Sequence, residues 1–490
     1  MKIDTESSKF QRSDMKPKKK LVLRIYGFSP SVNFGDFRTF LENYGPIRFL
    51  KSAKGRESVT VQFEKYDHGL RLLNYKTLRF GNDNLTIHES DYKFEVSKRQ
   101  VIKRIINEFD KHEVPLSFSG EAKMIRDTVE LKPENVMKRL EFVARLNAFV
   151  RQFFDESLNI EVKAFGSTLT GFGLLDADLD LTFLFERNTP FQAVDVSHLK
   201  LKDDPLEVFK KKRIENMEWR CVSIALKAVF LGRLLKQYEE ETDEISDVVC
   251  IEAARVPIIT FKFNHISCDL SFTNILGMRK ADLLKLTTED HPELSNTLFF
   301  IRTWARCAGI FKSTERPVGC FSSYAFSILF FCYCQHSKVL GPLENNEPIQ
   351  GIAEGTKLTY IGGYHGGIKD FVIGFFEFCL NVYKADQVLC PMTAQIIPIK
   401  EFQAPAGWYG QGGFRVSDVS NIQDPIETGH NITSSVTKEN LERFLDRARD
   451  VVEALMNLDG EHGIAKEMFN VLRQRSSRVV SPALEKMQID

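Results

Sequence analysis

Short runs of hydrophobic residues with two different periods follow one another in the first 90 residues. From Leu21 the chain reads as a strand (LVLRIYGF), an amphipathic helix that a glycine ends (SVNFGDFRTFLENYG) and two further strands (IRFLKSA and ESVTVQF). A second helix (KYDHGLRLLN) and a last strand (NLTIHES) complete the segment. Alternating apolar residues are typical of a strand with one buried face, and spacings of three and four are typical of a helix. The pattern therefore predicts the order βαββαβ over residues 21–90.

This order is that of the ferredoxin-like fold, and the segment resembles an RNA recognition motif built on it. Domains of that kind stack bases on aromatic side chains of their two central strands. The matching positions here are Arg24 in the first strand and Ser58 and Thr60 in the third, so the aromatic platform is missing. Two interpretations stay open. Either Arg24 stacks on a base through its guanidinium plane, or the domain packs on its neighbour or touches phosphates only.

A longer mixed pattern follows and predicts further domains. Pro133 suits the first turn of a helix, and apolar residues recur at helical spacing from Val136 to Phe153. We expect this helix to pack with a helical central domain. The expected divisions are a linker with a helical stretch at 91–132, the helix at 133–155, an α/β unit at 156–280, the central domain at 281–472 and a tail at 473–490.

The overall charge is balanced, but the N-terminal arm is basic. The 490 residues include 66 Lys and Arg and 66 Asp and Glu, which excludes a uniformly basic nucleic-acid coat protein and an acidic tail protein. Residues 1–20 hold seven basic and three acidic side chains and predict a disordered arm. Its KPKKK cluster, with Lys18, Lys19 and Lys20, is a candidate RNA contact or nuclear address. A merely solvated tail stays an alternative.

Neither a membrane span nor a secretory signal is expected. No run of about 18 uncharged apolar residues occurs, and the N-terminus MKIDTESSKF lacks the apolar core of a signal peptide. The nine cysteines lie between Cys221 and Cys390 without the spacing of a disulfide framework or a zinc site. They predict reduced, mostly buried thiols of an intracellular protein.

The clearest chemical pattern is VKAFGSTLTGFGLLDADLDLTFLF, which begins at Val162. Asp178 and Asp180 are two apart on a predicted strand, so their carboxylates project from one face about 7 Å apart. Like charges that close are costly unless a cation lies between them. The spacing therefore indicates a divalent-metal site, although a lone Asp-x-Asp is also common at an exposed strand edge. Asp176 is in phase with the pair and is interpreted as uninvolved.

A third carboxylate lies on another predicted strand. VPIITFKF is followed by a turn at Asn264 and by the returning strand ISCDLSF, in which Asp269 is on the polar face. Two-metal phosphoryl or nucleotidyl transfer needs about three carboxylates. We expect Asp269 to bind one ion and to accept a proton from an attacking hydroxyl.

Gly166 and Ser167, followed after ten residues by Asp178 and Asp180, resemble the nucleotidyltransferase signature of the DNA polymerase β-like superfamily. From about residue 133 to 449 the chain resembles the noncanonical poly(A) polymerase and terminal uridylyltransferase family. The resemblance implies a multidomain α/β and α+β protein with a mixed-sheet palm and a mostly helical central domain. It also implies two Mg²⁺ or Mn²⁺ ions on the three aspartates, with Gly166 and Ser167 at the triphosphate.

The same resemblance implies the nucleotide contacts. Asn274 would lie near the ribose, and Arg302 and Arg306, one helical turn apart, near the triphosphate. Ser323 would contact a phosphate, and Tyr324 would stack on the base. Without the resemblance, the arginines would be assigned to an exposed helix face and Tyr324 to the core.

A last motif, IQDPIETGHNIT, resembles the nucleotide-recognition loop of the family and supplies Asp424, Glu427 and His430. Uracil presents the acceptor O4 where adenine presents an amino donor. A His430 N–H directed at that atom accepts UTP and opposes ATP, and sites built on such bonds discriminate well. Family members that use UTP tend to keep this histidine. A satisfied loop histidine is the plainer alternative.

These features predict a template-independent RNA uridylyltransferase that adds UMP from UTP to an RNA 3′ hydroxyl. An RNA-recognition-like domain before the palm resembles the arrangement of the small nuclear RNA-specific enzyme. That substrate and a nuclear location are therefore expected, with a cytoplasmic location as the alternative. A mitochondrial-type poly(A) polymerase that uses ATP and an inactive RNA-binding scaffold remain alternatives. The oligomeric state is left open.

Overall fold

A computed structural model describes two compact units, residues 1–95 and 96–490. The described residues are 21–478, with gaps at 27, 30–31, 53–57, 76, 82, 90–97, 113–115, 155–158, 186–223, 243, 252–256, 265, 312–318, 344–355, 365–366 and 404–412. The basic arm with Lys18, Lys19 and Lys20 lies outside the described residues.

The first unit is a five-stranded antiparallel sheet with two helices. The strand order is β2-β3-β1-β5-β4, and Leu23, Ile25, Phe37, Val59 and Val61 are fully buried between sheet and helices. The ferredoxin-like fold is therefore confirmed, with one additional short strand at the edge that the sequence pattern missed. The elements are β1 (Val22–Tyr26), α1 (Phe34–Glu42), β2 (Ile47–Ser52), β3 (Ser58–Phe63), α2 (Tyr66–Asn74), β4 (Thr77–Phe80) and β5 (Asp83–Glu89).

The second unit contains a palm with a mixed five-stranded sheet in the order β6-β7-β10-β9-β8. β7 and β10 are parallel neighbours, and the other pairs are antiparallel. The palm elements are β6 (Ile160–Phe165), α6 (Ser167–Thr170), β7 (Leu179–Phe185), α7 (Ile224–Thr242), β8 (Ile245–Ile251), β9 (Ile258–Phe263) and β10 (Ile266–Phe272).

Helix α5 (Pro133–Arg151) also belongs to the palm. Its buried residues Phe142, Leu146 and Val150 join the core formed by β6, β7, β9 and β10. The Phe142 ring stacks on Phe263 with 3.9 Å between centroids. The expectation that this helix packs with the central domain is therefore wrong, because an amphipathic pattern specifies a buried face but not what covers it.

The core of the helical central domain contains residues from both the beginning and the end of the second unit's sequence. α3 (Lys98–Phe109) and α4 (Phe118–Val129), in the segment expected to be a linker, pack into the same core as the C-terminal helices. The remaining elements are α8 (Ile275–Thr288), α9 (Pro292–Cys307), α10 (Ser323–His336), β11 (Leu340–Leu343), β12 (Leu358–Tyr360), α11 (Ile368–Asn381), β13 (Gln387–Cys390), β14 (Gln395–Pro398), α12 (Lys438–Met456) and α13 (Ile464–Arg478).

Glu121 joins the two ends of this domain. It lies in α4 with 1% of its surface exposed, and its carboxylate accepts hydrogen bonds from the backbone N–H groups of Ala465 (2.9 Å) and Lys466 (3.3 Å). These are two of the donors that the first turn of α13 cannot satisfy within the helix. Burial raises the pKa of Glu121 to about 7, against the lowering effect of these bonds.

We expect Glu121 to make the stability of this domain pH-dependent. Because its folded-state pKa is raised, the stabilising contribution is complete below pH 4.5 and is lost as the pH rises to about 7. Glu121→Gln stays neutral and should gain on the order of 3 kcal/mol relative to wild type between pH 4.5 and 8. Thermal melting of both proteins across that range measures the difference. The exposed Glu141→Gln is the control, and parallel melting curves for Glu121→Gln and wild type would contradict the expectation.

Two sequence predictions concern membrane-spanning helices and the burial of the cysteines. Among the described residues, no helix is both long and apolar enough to cross a membrane. Seven of the eight described cysteines are buried, and burial raises the pKa of Cys390 to about 12. Such thiols stay protonated and unreactive at neutral pH.

Candidate active site

The two strands that carry the predicted metal ligands are hydrogen-bonded neighbours. Asp269 of β10 is directly opposite Asp180 of β7, and Asp178 lies one residue before β7 begins. Burial, followed by the charges of Asp269 and Asp178, raises the pKa of Asp180 to about 6. The three carboxylates therefore face a common space and repel one another there.

The donor set of this space fits divalent cations. Hard ions such as Mg²⁺ prefer carboxylate oxygens, and a cation would offset the repulsion among the aspartates. Within the described part of the chain, the three carboxylates do not form a group whose ligand atoms all lie within 4.8 Å of one another. That spread is compatible with two ions, which in two-metal sites are about 3.5–4 Å apart.

Gly166 allows the turn after β6 to pass directly beside Asp180. Its φ of 69° and ψ of −146° lie in a region that is essentially restricted to glycine. A Cβ at this position would lie 2.3 Å from Asp180 Oδ2. Ser167 follows as the first residue of the short helix α6 and is half-buried.

Arg139 supports the aspartate strand from behind, and the sequence analysis missed it. The side chain is 1% exposed in α5 and donates to Thr168 Oγ1 (2.9 Å) and to the backbone oxygens of Ala177 (2.6 Å) and Asp178 (3.3 Å). The guanidinium therefore fixes the chain just before the strand that carries the predicted metal ligands. The available signal was a charged residue within the apolar face of the helix.

The two arginines of α9 are held by protein partners. Arg306 Nη2 lies 2.5 Å from Asp176 Oδ2, so Asp176 is the ion-pair partner of a predicted phosphate ligand. Arg302 donates to Ser327 Oγ (2.7 Å) and lies over the Phe172 ring, and burial lowers its pKa to about 10. Neither arginine lies on an exposed helix face, and each guanidinium has five N–H donors.

Ser323 and Asn274 begin helices near these groups. Ser327 Oγ, which accepts from Arg302, donates to the backbone oxygen of Ser323 (2.8 Å), and Ser323 itself is exposed. Asn274 caps α8: its Oδ1 accepts from Gly277 N–H, and its own N–H donates to Thr182 Oγ1 of β7, both at 2.9 Å. The carboxamide oxygen is thus used by the cap, which leaves the Nδ2 group for a ribose.

The predicted base-binding residues come together. Tyr324 O–H donates to Asp424 Oδ1 at 3.0 Å. His430 Nδ1 lies 3.7 Å from Asp424 Oδ2 and 3.8 Å from Glu427 Oε2. Asp424 is fully buried, which alone would raise its pKa, but His430 and Lys280 beside it bring the pKa down to about 2. The carboxylate is therefore ionised.

Lys280 of α8 is the residue of this cluster that the sequence analysis missed. Its Nζ lies 2.6 Å from Asp424 Oδ2, 3.5 Å from Glu427 Oε2 and 5.4 Å from the centroid of the Tyr324 ring. Within the sequence MRKADLL, nothing distinguishes this lysine from an ordinary helix-surface residue.

Asn431 holds the loop that carries Asp424 and His430. It is 1% exposed, and its Oδ1 accepts from Ile422 N–H, Thr433 N–H and Thr433 Oγ1. Its Nδ2 donates to Asn421 Oδ1 (2.9 Å) among other acceptors. A buried amide with its bonding capacity satisfied in this way fixes the conformation of the loop.

Part of the chain is similar to a known palm domain. Residues 118–289 match the family described as "Poly(A) RNA polymerase, mitochondrial-like, central palm domain". This segment is therefore similar to the palm of noncanonical poly(A) RNA polymerases. The fold is also similar to a crystal structure of mtPAP in its apo form, with a TM-score of 0.54 and 17% identity over 92% of this chain and 96% of that one.

Relatives of this palm bear names of two kinds. The Speckle targeted PIP5K1A-regulated poly(A) polymerase of Xenopus tropicalis is 21% identical over 86% of this chain and 55% of its own length. Terminal uridylyltransferase cid1 of Schizosaccharomyces pombe is 24% identical over 43% of this chain and 57% of its own length. The chain spans about half the length of these curated relatives. Their names do not decide which nucleotide this palm uses.

The candidate RNA face of the first unit is a row across four strands. Thr60 of β3 pairs with Lys51 of β2 and with Arg24 of β1, and Arg24 pairs in turn with His88 of β5. The row contains no aromatic residue. Lys51, Arg24 and His88 therefore share one register line of the backbone ladder.

Proposed function

We propose that the chain is a template-independent RNA nucleotidyltransferase that adds UMP from UTP to the 3′ hydroxyl of an RNA. The observation that carries the proposal is the pairing of Asp269 with Asp180 on adjacent parallel strands, with Asp178 beside them. This arrangement lies within the segment that matches a poly(A) RNA polymerase palm. Three carboxylates at one end of a palm suit nucleotidyl transfer.

The aspartates and arginines divide the chemistry between them. Asp178, Asp180 and Asp269 would hold two Mg²⁺ or Mn²⁺ ions, which when bound supply positive charge to the transferred phosphate and the leaving group. Asp269 accepts the proton of the RNA 3′ hydroxyl. The hydroxyl oxygen then forms a bond to the α-phosphorus of UTP, the bond to the β-phosphate oxygen breaks, and pyrophosphate leaves. Arg302 and Arg306 would bind the phosphates.

The choice of UTP rests on the cluster around Tyr324. A base stacked on that ring meets the loop that carries His430. His430 Nδ1 is on the side of the two carboxylates, which leaves Nε2 for the base. When Nδ1 carries a proton towards the carboxylates and Nε2 carries a second one, the ring donates to uracil O4, whereas the adenine amino group needs an acceptor.

The arrangement of the domains supports a proposal for the RNA and its compartment. The N-terminal sheet, which precedes the palm in the sequence, would bind the RNA backbone. The same order of domains suggests a small nuclear RNA as substrate. The name of the Xenopus relative includes "speckle targeted", which supports a nuclear location. A second candidate function is ATP-dependent poly(A) addition, because that relative, aligned over 86% of this chain, is named a poly(A) polymerase.

Assays of nucleotide addition test the proposal. Wild-type protein should extend a synthetic RNA primer with a higher kcat/KM for UTP than for ATP. His430→Ala should narrow that ratio by roughly threefold to tenfold, since one hydrogen bond to an uncharged group contributes about 0.5–1.5 kcal/mol. Arg302→Ala is the control, because loss of a phosphate contact should weaken both nucleotides alike. A wild-type preference for ATP would overturn the uridylyl assignment in favour of poly(A) addition.

A further inference from the structure

The ammonium group of Lys280 lies where a cation would bind among Asp424, Glu427 and His430. Asp424, Glu427 and His430 form the one group of three His, Cys, Asp or Glu side chains, within the described part of the chain, whose ligand atoms all lie within 4.8 Å. Such a group could hold a metal ion, but the Lys280 ammonium lies 2.6 Å from one carboxylate and 3.5 Å from the other. The chain itself therefore supplies the positive charge that this acidic cluster needs.

The ammonium has a donor to spare. Lysine carries three N–H donors and no acceptor, and the two carboxylates can use two of the donors. Nζ is 5.4 Å from the Tyr324 centroid, and 21% of the side chain is exposed. A base that stacks on Tyr324 consequently has its edge within reach of the remaining donor.

The hydrogen-bond donors and acceptors of Lys280, His430 and Glu427 match those on the edge of uracil. The hydrogen-bonding edge of uracil presents acceptor, donor and acceptor, namely O4, N3–H and O2. Lys280 and His430 can each donate, and the Glu427 carboxylate can accept. Adenine presents an amino donor and a ring-nitrogen acceptor, so its amino group would meet an ammonium that can accept no hydrogen bond. A site that leaves a polar group unpaired discriminates strongly.

We propose that Lys280 is a specificity-determining residue that donates a hydrogen bond to a carbonyl oxygen of the pyrimidine base of the incoming nucleotide. The proposal rests on the proposed uridylyl function. It adds a second residue that would hydrogen-bond the base: Lys280 comes from α8, whereas His430 comes from the loop after β14. In the absence of nucleotide, Lys280 neutralises the buried Asp424.

Substitution of Lys280 tests this role. Lys280→Met keeps the length of the side chain and removes the donors, and should lower the UTP-to-ATP ratio of kcat/KM by about tenfold or more, because bonds from charged donors are the stronger ones. Lys285→Met, an exposed residue of the same helix, is the matched control and should leave the ratio unchanged. A loss shared with CTP assigns the contact to O2, and a loss confined to UTP assigns it to O4.

Removal of Lys280 alone leaves the buried Asp424 carboxylate without its ammonium partner, which can unfold the site. The pair Asp424→Asn and Asp424→Asn/Lys280→Met avoids this, because neither variant buries an unpaired carboxylate at that position. The affinity of both full-length variants for a nonhydrolysable UTP analogue, measured by calorimetry, should differ by about tenfold, and their affinities for the ATP analogue should differ far less.

The outcomes separate the two proposals. If wild type prefers UTP but neither comparison changes the UTP-to-ATP ratio, Lys280 only neutralises Asp424 and this inference fails while the uridylyl function stands. If kcat/KM and affinity fall equally for UTP and ATP, Lys280 only shapes the pocket, and the inference fails as well. A wild type that prefers ATP overturns both proposals together.

Discussion

Asp269→Asn is expected to lower the rate of nucleotide addition by on the order of a thousandfold or more, about 4 kcal/mol in transition-state stabilisation at 1.36 kcal/mol per decade. Asparagine keeps the shape of the side chain but removes both a metal-binding charge and the acceptor for the hydroxyl proton. The fold should survive, because the substitution also removes a charge that repels Asp180. The measurement is kcat on a short, saturating RNA primer.

A control in the same sheet separates catalysis from folding. Asp247 lies on β8, is half-exposed and pairs with Lys262 at 2.6 Å, outside the aspartate cluster. Asp247→Asn should keep wild-type activity. Mn²⁺ should raise the Tm of wild type and of Asp247→Asn, but raise it far less in Asp269→Asn. A folded Asp269→Asn protein that retained a tenth of wild-type activity would contradict the role assigned to the third carboxylate.

The aspartate strands show what a local pattern can predict. The alternation in VPIITFKF and ISCDLSF predicted two strands joined at Asn264, and the structure has β9 and β10 with Asn264 at a φ of 46° between them. The period of two also placed Asp178 and Asp180 on one face. What the alternation could not predict is that β10 pairs with β7, because that register depends on contacts about 90 residues apart.

The missed residues share one physical cause. Arg139 bonds a backbone oxygen 39 positions away, and Lys280 reaches a carboxylate 147 positions away. A charged residue on a helix is ordinarily solvated, so only its tertiary partners reveal a buried role. The wrong assignment of α5 has the same origin, since the identity of the surface that covers an apolar helix face is a property of the whole fold.

Asp176 is a residue whose position the sequence pattern predicted but whose contact it did not. Its phase with Asp178 and Asp180 was visible in the sequence, but its partner was not. The ion pair with Arg306 shows that the helix of the predicted phosphate ligands is held against the turn that precedes the metal-ligand strand. The predicted phosphate-binding helix and the strand of the predicted metal ligands are thereby connected through one short contact.

Gly166→Ala is expected to reduce activity by about a hundredfold, because misplacement of a catalytic group by about 1 Å costs that much. The new Cβ would lie 2.3 Å from Asp180 Oδ2, so the carboxylate or the turn must move. The φ and ψ of Gly166 also lie in a region that costs other residues about 1–3 kcal/mol. Both kcat and Tm should fall.

Gly171→Ala provides the comparison that isolates the contact with Asp180. Gly171 ends the same helix, α6, with a φ of 73°, yet a Cβ there would meet nothing within 4 Å. Its substitution should therefore lower the Tm through backbone strain, at about 1 kcal/mol, while kcat stays within about twofold of wild type.

If the two alanine variants lost activity to the same extent, strain in the turn would explain both. The close approach of Gly166 to Asp180 would then have no catalytic role of its own. A large loss of kcat in Gly166→Ala alone would instead mean that glycine is required there so that the backbone can lie against a metal-binding carboxylate.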